Sequence, residues 1–351
     1  MIVISHEDKT RWNNIVKSFN DWDIYYLQEY AMSFYIHGDG EPLLLYYEDE
    51  NCKLCYVVMK NDIAESSCFK GVLENSKYYD FTTPYGYGGP IIDGNFNVES
   101  SKKFENELNQ YCLENNIISQ FIRFHPLLMN HKYLQNYSEL RGIKKTIYVD
   151  TSDLLVIDKN IDSKNRNMIR KAQKNDVIIK KDRGEQIEEF KKIYNSTMIQ
   201  NNAENYYFFK NDYYDHSLKN MSQNMICFYA YYDDQIISVA MFYYSNQRMH
   251  YHLSGTLKEY RHLASMNLMI YEASIWAHEN NLKILHLGGG LKNEDSLFKF
   301  KKSFNRNGEN PFYIGRNIFN REAYEKLLLI RLEKEKEFNI NNSHLIQYRK
   351  E

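Results

Sequence analysis

The chain reads as an α+β protein, with mixed-sheet α/β layers, built as two tandem domains, and three observations predict this. Its 351 residues, 43% of them hydrophobic, exceed what one core of ordinary size takes up. Met225 to Tyr232, Gln235 to Tyr244 and Arg248 to Ser254 are three apolar runs joined by tight polar turns, an antiparallel meander, and they lead into a long helix and a buried strand. The two halves also follow one succession: antiparallel strands, a polar loop, a long helix, a buried strand ending in a helix breaker, a short segment and a final strand. That likeness lies in order and length, not in letters.

In the first half, Trp12, Ile15, Val16 and Phe19 recur at helical intervals between Asp8 and Phe19, and Leu27 to Tyr35 reads as a second short helix. Pro42 to Tyr47 and Lys53 to Met59 form a hairpin around the acidic turn Glu48-Asp49-Glu50-Asn51. A loop dense in glycine and tyrosine, Asp80 to Pro90, follows. Val98 to Asn116 is a long amphipathic helix, Ser119 to Phe124 a buried strand closed by His125-Pro126, and Ile143 to Asp150 another strand. The second half opens with the basic helix Asn165 to Lys174, continues with helices Gln186 to Gln200 and Asn211 to Met221, and then enters the meander. Leu263 to Glu279 is its long helix, followed by the strand Lys283 to Leu287, a short helix Asp295 to Ser303, the strand Phe312 to Phe319 and a charged helix from Arg321 to Phe338. The expected domains are therefore 1–152 and 153–320, with 321–351 as a C-terminal helix and tail.

A formal net charge of −2 gives no overall pull toward DNA, so any contact with a polyanion must come from a local basic patch. The five cysteines do not read as a disulfide framework, and Cys52 and Cys55 point to opposite faces of one strand. Met1 to Ile4 is followed at once by His6, Glu7, Asp8 and Lys9, and no apolar run reaches membrane-spanning length. A cytoplasmic protein is expected, with membrane contact limited to the periphery. His250, His252 and His286 lie on strands without a carboxylate or cysteine at ligand spacing, so no metal site is expected.

The most informative stretch is Leu282 to Phe304. A buried strand there runs into Gly288, Gly289 and Gly290, where backbone can approach a ligand without Cβ obstruction, and then into a basic helix. Leu297, Phe300, Lys301 and Phe304 share helical spacing, which places Lys301 at the margin of a buried face, fixed by Phe300 and Phe304. A cation held that way can stabilise an oxyanion or orient a phosphate. Asp295, Glu259 and Tyr260 are the candidate bases nearby; Asp295 reads equally as the N-cap of the short helix. In the first half, Arg123 and His125 end a buried strand beside Tyr85 and Tyr87, a combination suited to a sugar or a phosphate. Arg166 and Arg170, on one helix, suit a diphosphate.

Several stretches in one order carry a resemblance: Thr83 to Pro90, Arg123-Phe124-His125-Pro126, Arg166 with Ile169 to Ala172, Glu259-Tyr260-Arg261, His286 to Gly290 and Phe300 to Phe304. Together they resemble the Fem family, double-domain acyl- and aminoacyltransferases of the GNAT superfamily that act in bacterial cell-wall and surface-polysaccharide synthesis. The resemblance implies two GNAT-like domains, the first binding an acceptor and the second holding the acyl donor and the chemistry. The segment from Lys181 to Met225 has no room for the long helical hairpin that some Fem enzymes carry.

For function, the resemblance implies N-acyl transfer from acyl-CoA to an amine on a nucleotide-linked sugar, a peptidoglycan precursor or a lipid-linked or surface-glycan intermediate. Charged tRNA is the alternative donor, for building a peptidoglycan interpeptide bridge, and a catalytically silent binding module is a further reading. Two neighbouring strands, Arg248 to Ser254 and Lys283 to Leu287, are expected to part and expose backbone N–H groups. Donor contacts fall on Ser254, Arg261, Gly288 and Gly289, acceptor contacts on Tyr85, Tyr87, Arg123, His125, Arg166 and Arg170, and the reaction on Lys301, Asp295 and Tyr260.

Overall fold

The computed structural model describes residues 1–292 and 294–350. The chain divides into two compact units, one formed by residues 1–143 with 312–351 and the other by 144–311. This differs from the expected boundaries at 152 and 320. The reason is strand supply, since the first unit completes its sheet with the strand Glu309–Ile318, remote in sequence from the rest, and the second begins inside the strand Glu139–Asp150.

The elements in chain order are β1 (Ile2–Ser5), α1 (Lys9–Lys17), α2 (Gln28–His37), β2 (Glu41–Glu48), β3 (Cys52–Asp62), β4 (Tyr79–Thr82), β5 (Ile91–Gly94), α3 (Val98–Glu114), β6 (Ile117–Arg123) and β7 (Glu139–Asp150). They continue with α4 (Leu154–Asn160), α5 (Ser163–Lys174), β8 (Ile178–Asp182), α6 (Ile187–Gln200), α7 (Asn211–Met221), β9 (Met225–Tyr232), β10 (Gln235–Ser245) and β11 (Arg248–Thr256). The last are α8 (Ser265–Glu279), β12 (Ile284–Gly288), α9 (Ser296–Lys302), β13 (Glu309–Ile318) and α10 (Arg321–Lys334).

The first unit's sheet runs β1-β2-β3-β4-β6-β13, with β5 on the far end of β3. Its pairs are antiparallel except β4 with β6, which lie parallel and are joined through the crossover helix α3. The second unit repeats the plan as β8-β9-β10-β11-β12-β7, antiparallel except for β11 with β12, which α8 connects. The duplication expected from element order is thus a duplication of topology. β13 closes the first sheet and β7 the second.

Local chemistry explains the elements. Asp8 caps α1 by accepting from the Arg11 N–H, and Trp12, Asn13 and Val16 are the residues that helix buries. Asn97 caps α3, which buries Phe104, Leu108 and Cys112. In the second unit, Phe228, Ala240, Phe242, Met249, Leu268, Ile270, Ala273 and Leu285 belong to one core between the sheet and α8. All five cysteines are buried and unbridged. β4 and β5 each have only 4 residues, inside or beside the glycine-tyrosine stretch expected to be loop. β8 is an edge strand carrying Lys180 and Lys181, with Ile178 57% exposed, and its pattern gives no apolar face to recognise. The α-helices between β8 and β9 are α6 and α7, of 14 and 11 residues, among the described residues.

Candidate functional site

In the second unit the parallel pair β11 and β12 is short. The register holds for Arg248 with Ile284, Met249 with Leu285 and His250 with His286, and stops there. β11 runs on to Thr256 against β10, while β12 turns to β7, where Gly288 pairs with Ile147 after a register shift. A β-bulge at His252, which has no partner between Leu253 opposite Met241 and Tyr251 opposite Phe242, bends β11 just past the last shared pair. The two strands therefore part, as expected.

The glycines continue β12 into this opening. Gly288 has φ +71°, a left-handed conformation that L side chains resist, and a Cβ on Gly290 would meet the Asp295 carboxylate at 2.1 Å. Lys301 reaches back from α9 and donates to the Gly289 carbonyl at 2.8 Å, while Lys144 from β7 donates to the Gly290 carbonyl at 2.7 Å. Lys301 is only 7% exposed. Burial lowers its pKa to about 7, the Lys144 charge adds to the fall, and Asp295 opposes it.

Expected partners of this lysine differ from those found. Phe300 and Phe304 pack edge to face on each other, and the ring that faces the Lys301 Nζ is Tyr251, 5.6 Å from its centroid. The Tyr251 hydroxyl donates to Ser254 Oγ, and burial pushes its pKa up to about 12. Ser254, Tyr251, Lys301 and Gly289 thus form one connected group. Asp295 accepts from the backbone N–H groups of Leu291, Lys292 and Phe298, at 2.7, 2.8 and 2.7 Å. Burial raises its pKa, but these amides and Lys144 outweigh that and hold it below the usual carboxylate range. It is the cap of α9 and the clasp of the glycine turn, not a group poised to take a proton. Tyr260 and Arg261 stand on the turn between β11 and α8, where the Tyr260 hydroxyl donates to Gln235 Oε1 and Arg261 to Gln200 Oε1. Arg166 bonds the Asp158 carbonyl, and Arg170 is an exposed neighbour on the same helix.

In the first unit the predicted acceptor residues do converge. Arg123 Nε donates to the Gly86 carbonyl at 2.9 Å, and its guanidinium lies 5.4 Å from the Phe312 ring, which Tyr87 meets edge-on. His125 is fully buried and pairs with Asp23 at 3.1 Å. Its Nδ1 accepts from the Leu128 N–H, so Nε2 carries the proton given to Asp23. Tyr25 packs edge-on against Tyr30, Tyr87 and His125. Tyr85 stacks on Phe34, and its carbonyl accepts from the Tyr30 hydroxyl.

Residues 163–302 match the family model described as an acetyltransferase (GNAT) domain. This stretch is a GNAT-family domain. No curated protein matches the chain in sequence. Among solved structures, the fold is similar to FemX, with a TM-score of 0.66 at 12% identity over 93% of this chain and 99% of that one. A conserved protein of unknown function from Bacteroides thetaiotaomicron gives 0.60 at 10% identity over 90% and 98%, and L-PGS from Bacillus licheniformis 0.52 at 10% over 93% and 97%. At such identities the likeness is one of fold, a mixed α+β architecture of the tandem-GNAT kind. Among the described residues no helix is long and apolar enough to cross a membrane.

Three groups at these sites escaped sequence reading. Lys144 stands on a strand placed beside the GNAT domain's glycines only by the sheet order, and no local pattern announces that. Tyr251 is one of the 31 tyrosines, marked by nothing but its place between two histidines. Asp23 is separated from His125 by about a hundred residues, and only the fold joins them.

Proposed function

We propose that the chain is an N-acyltransferase whose GNAT domain moves an acyl group from acyl-CoA to an amine, with the Lys301 ammonium meeting the charge that develops on the acyl oxygen. The observation carrying this reading is a buried lysine at the point where two parallel strands part. An opening inside a sheet offers backbone N–H groups to a carbonyl, and the amine attacks that carbonyl carbon while its π electrons move onto oxygen. Collapse of the tetrahedral adduct expels the thiolate. Burial strips this cation of water and Lys144 repels it, so it gains most when negative charge appears beside it. Asp295 is spent on backbone amides and Tyr260 on Gln235, so the amine proton is assigned to water rather than to either.

On this reading the first unit recognises the acceptor, a nucleotide-linked sugar or a cell-wall or surface-glycan precursor. Arg123 supplies a planar cation beside the aromatic rings of Tyr87 and Phe312, and the His125 ring packs against Tyr87 while pairing with Asp23. The second reading, an aminoacyl group carried on tRNA, is the alternative donor that the resemblance to the Fem family implies.

Binding of labelled acetyl-CoA against charged tRNA tests the donor: retention of acetyl-CoA is expected, and retention of charged tRNA alone would transfer the assignment to the second reading. Lys301→Met is expected to lower kcat by about a hundredfold or more without loss of thermal stability. Loss of stability with unchanged kcat would make Lys301 a packing residue.

A further inference from the structure

Where β11 and β12 part, the sheet of the second unit presents two unlike faces. One is apolar: Met249, Leu285 and Leu287 belong to the core shared with α8, Tyr251 packs against that core, and Phe298 and Phe304 bring α9 and its Lys301 to the same side. The opposite face is polar. It carries His250 and His286, whose rings meet edge to face at the last shared pair, and then the bulge residue His252. An amine attacking a carbonyl held in the opening arrives from one face or the other, and the second is the one built of groups that hold an N–H.

Hydrogen bonds behind His252 fix its tautomer. Its half-buried ring packs on Tyr213 of α7 and Tyr243 of β10, and these two, with Ser217, are buried. The Ser217 hydroxyl donates to the Tyr213 carbonyl at 2.9 Å and lies 3.0 Å from the Tyr243 hydroxyl, so in that second bond Tyr243 is the donor. The Tyr243 oxygen receives the bond that Tyr213 makes to it. Tyr213 has then spent its single proton, and in its 2.6 Å bond to His252 Nε2 the imidazole must donate. Nε2 therefore carries the hydrogen and Nδ1 the lone pair.

We propose that His252 Nδ1 accepts an N–H of the attacking amine and turns the amine's lone pair toward the carbonyl in the opening. This rests on the acyl-transfer reading above and adds to it the side chain that touches the nucleophile. The proton itself still leaves to water. Burial, with the charge of His250 adding, lowers the His252 pKa to about 3, so the imidazole remains a neutral acceptor.

Nitrogen-15 NMR of the full chain labelled at histidine reads the tautomer. His252 is expected to hold its proton on Nε2, and Tyr213→Phe, which keeps the packed rings but removes the oxygen that accepts this proton, should give a mixture of tautomers. A proton on Nδ1 in the native protein would overturn the proposal. Release of thiol from acetyl-CoA, with hydroxylamine as the amine, reads the contact. His252→Ala should lower kcat/KM for hydroxylamine about 10- to 100-fold and leave KM for acetyl-CoA unchanged. His252→Asn, whose Oδ1 offers an acceptor near the place of Nδ1, should recover most of that loss. Equal losses in the two variants, or a matching rise in KM for acetyl-CoA, would make His252 a packing residue. Acetyl-CoA that binds the native chain but releases no thiol to hydroxylamine would count against the contact. Acetyl-CoA that fails to bind would defeat the donor reading, and the nitrogen spectrum would still decide the tautomer.

Discussion

Lys301 sets the pH behaviour of the molecule at a single residue. Burial lowers its pKa to about 7, with Lys144 adding to the fall, whereas an unfolded lysine titrates near 10.4. Between those values the unfolded chain binds a proton that the folded chain has shed, so this group makes stability rise with pH across that window. Below about pH 7 the amine is charged in both states and the full burial cost stands. Lys301→Met removes that cost. In urea melts the variant should exceed the native protein by about 2–4 kcal/mol at pH 6, with the gap closing toward pH 10. A gap independent of pH would contradict a buried ammonium. Catalysis by the cation runs the other way, and kcat/KM should fall above about pH 7 as the proton leaves. Lys301→Arg, charged throughout, should flatten that fall in whatever activity it retains. A limb that instead rises through pH 7 and vanishes in Lys301→Met would make the lysine a base.

At the scale of elements, the turn from β12 into α9 is one cooperative unit held by Asp295. A methyl group on Gly290 would collide with the carboxylate that binds Leu291, Lys292 and Phe298, so Gly290→Ala and Asp295→Ala damage the same structure by different routes. Gly290→Ala should cost about 2 kcal/mol in the native background and much less once Asp295 is alanine, a coupling of about 1 kcal/mol or more in a denaturation double-mutant cycle. Additive losses would mean that the clasp is not shared. The triple glycine, the cap and the buried lysine were legible in sequence because each is a local pattern of a few residues. The bulge at His252 was not, since one extra residue leaves the strand's composition unchanged. Nor were the ring over Lys301 and the cation beside it, because Tyr251 and Lys144 reach the site through sheet order. For the same reason periodicity found the strands near β7 and β13 but misplaced the unit boundaries, for hydrophobic spacing identifies a strand without naming its partner.

For the whole molecule, the discontinuity of the first unit carries a mechanical consequence. The chain leaves that unit at Ile143 and returns at Phe312, so β13 and α10 complete a structure that the chain left some 170 residues earlier. Ala323, Tyr324 and Leu327 of α10 pack with Ile63, Phe69, Ile118 and Tyr348 in one core cluster. The closing segment is fixed through Asp80 on β4, which is 2% exposed and accepts from Arg349 Nε, Arg349 Nη2 and the Tyr348 hydroxyl, each at 2.8 Å. Burial alone would lower the Arg349 pKa, but the Asp80 charge raises it, so the guanidinium stays charged. Arg349→Ala leaves a buried carboxylate with the Tyr348 hydroxyl as its remaining side-chain partner, a loss of about 3 kcal/mol. The loss should be local to one unit. Hydrogen exchange at low denaturant is expected to quicken for the amides of β4, β6 and α10, with those of β9 to β12 keeping native rates, because no residue of the second unit's core cluster belongs to this network. Equal acceleration in both sets would show that the units unfold together and that the Asp80 pair stabilises the entire chain.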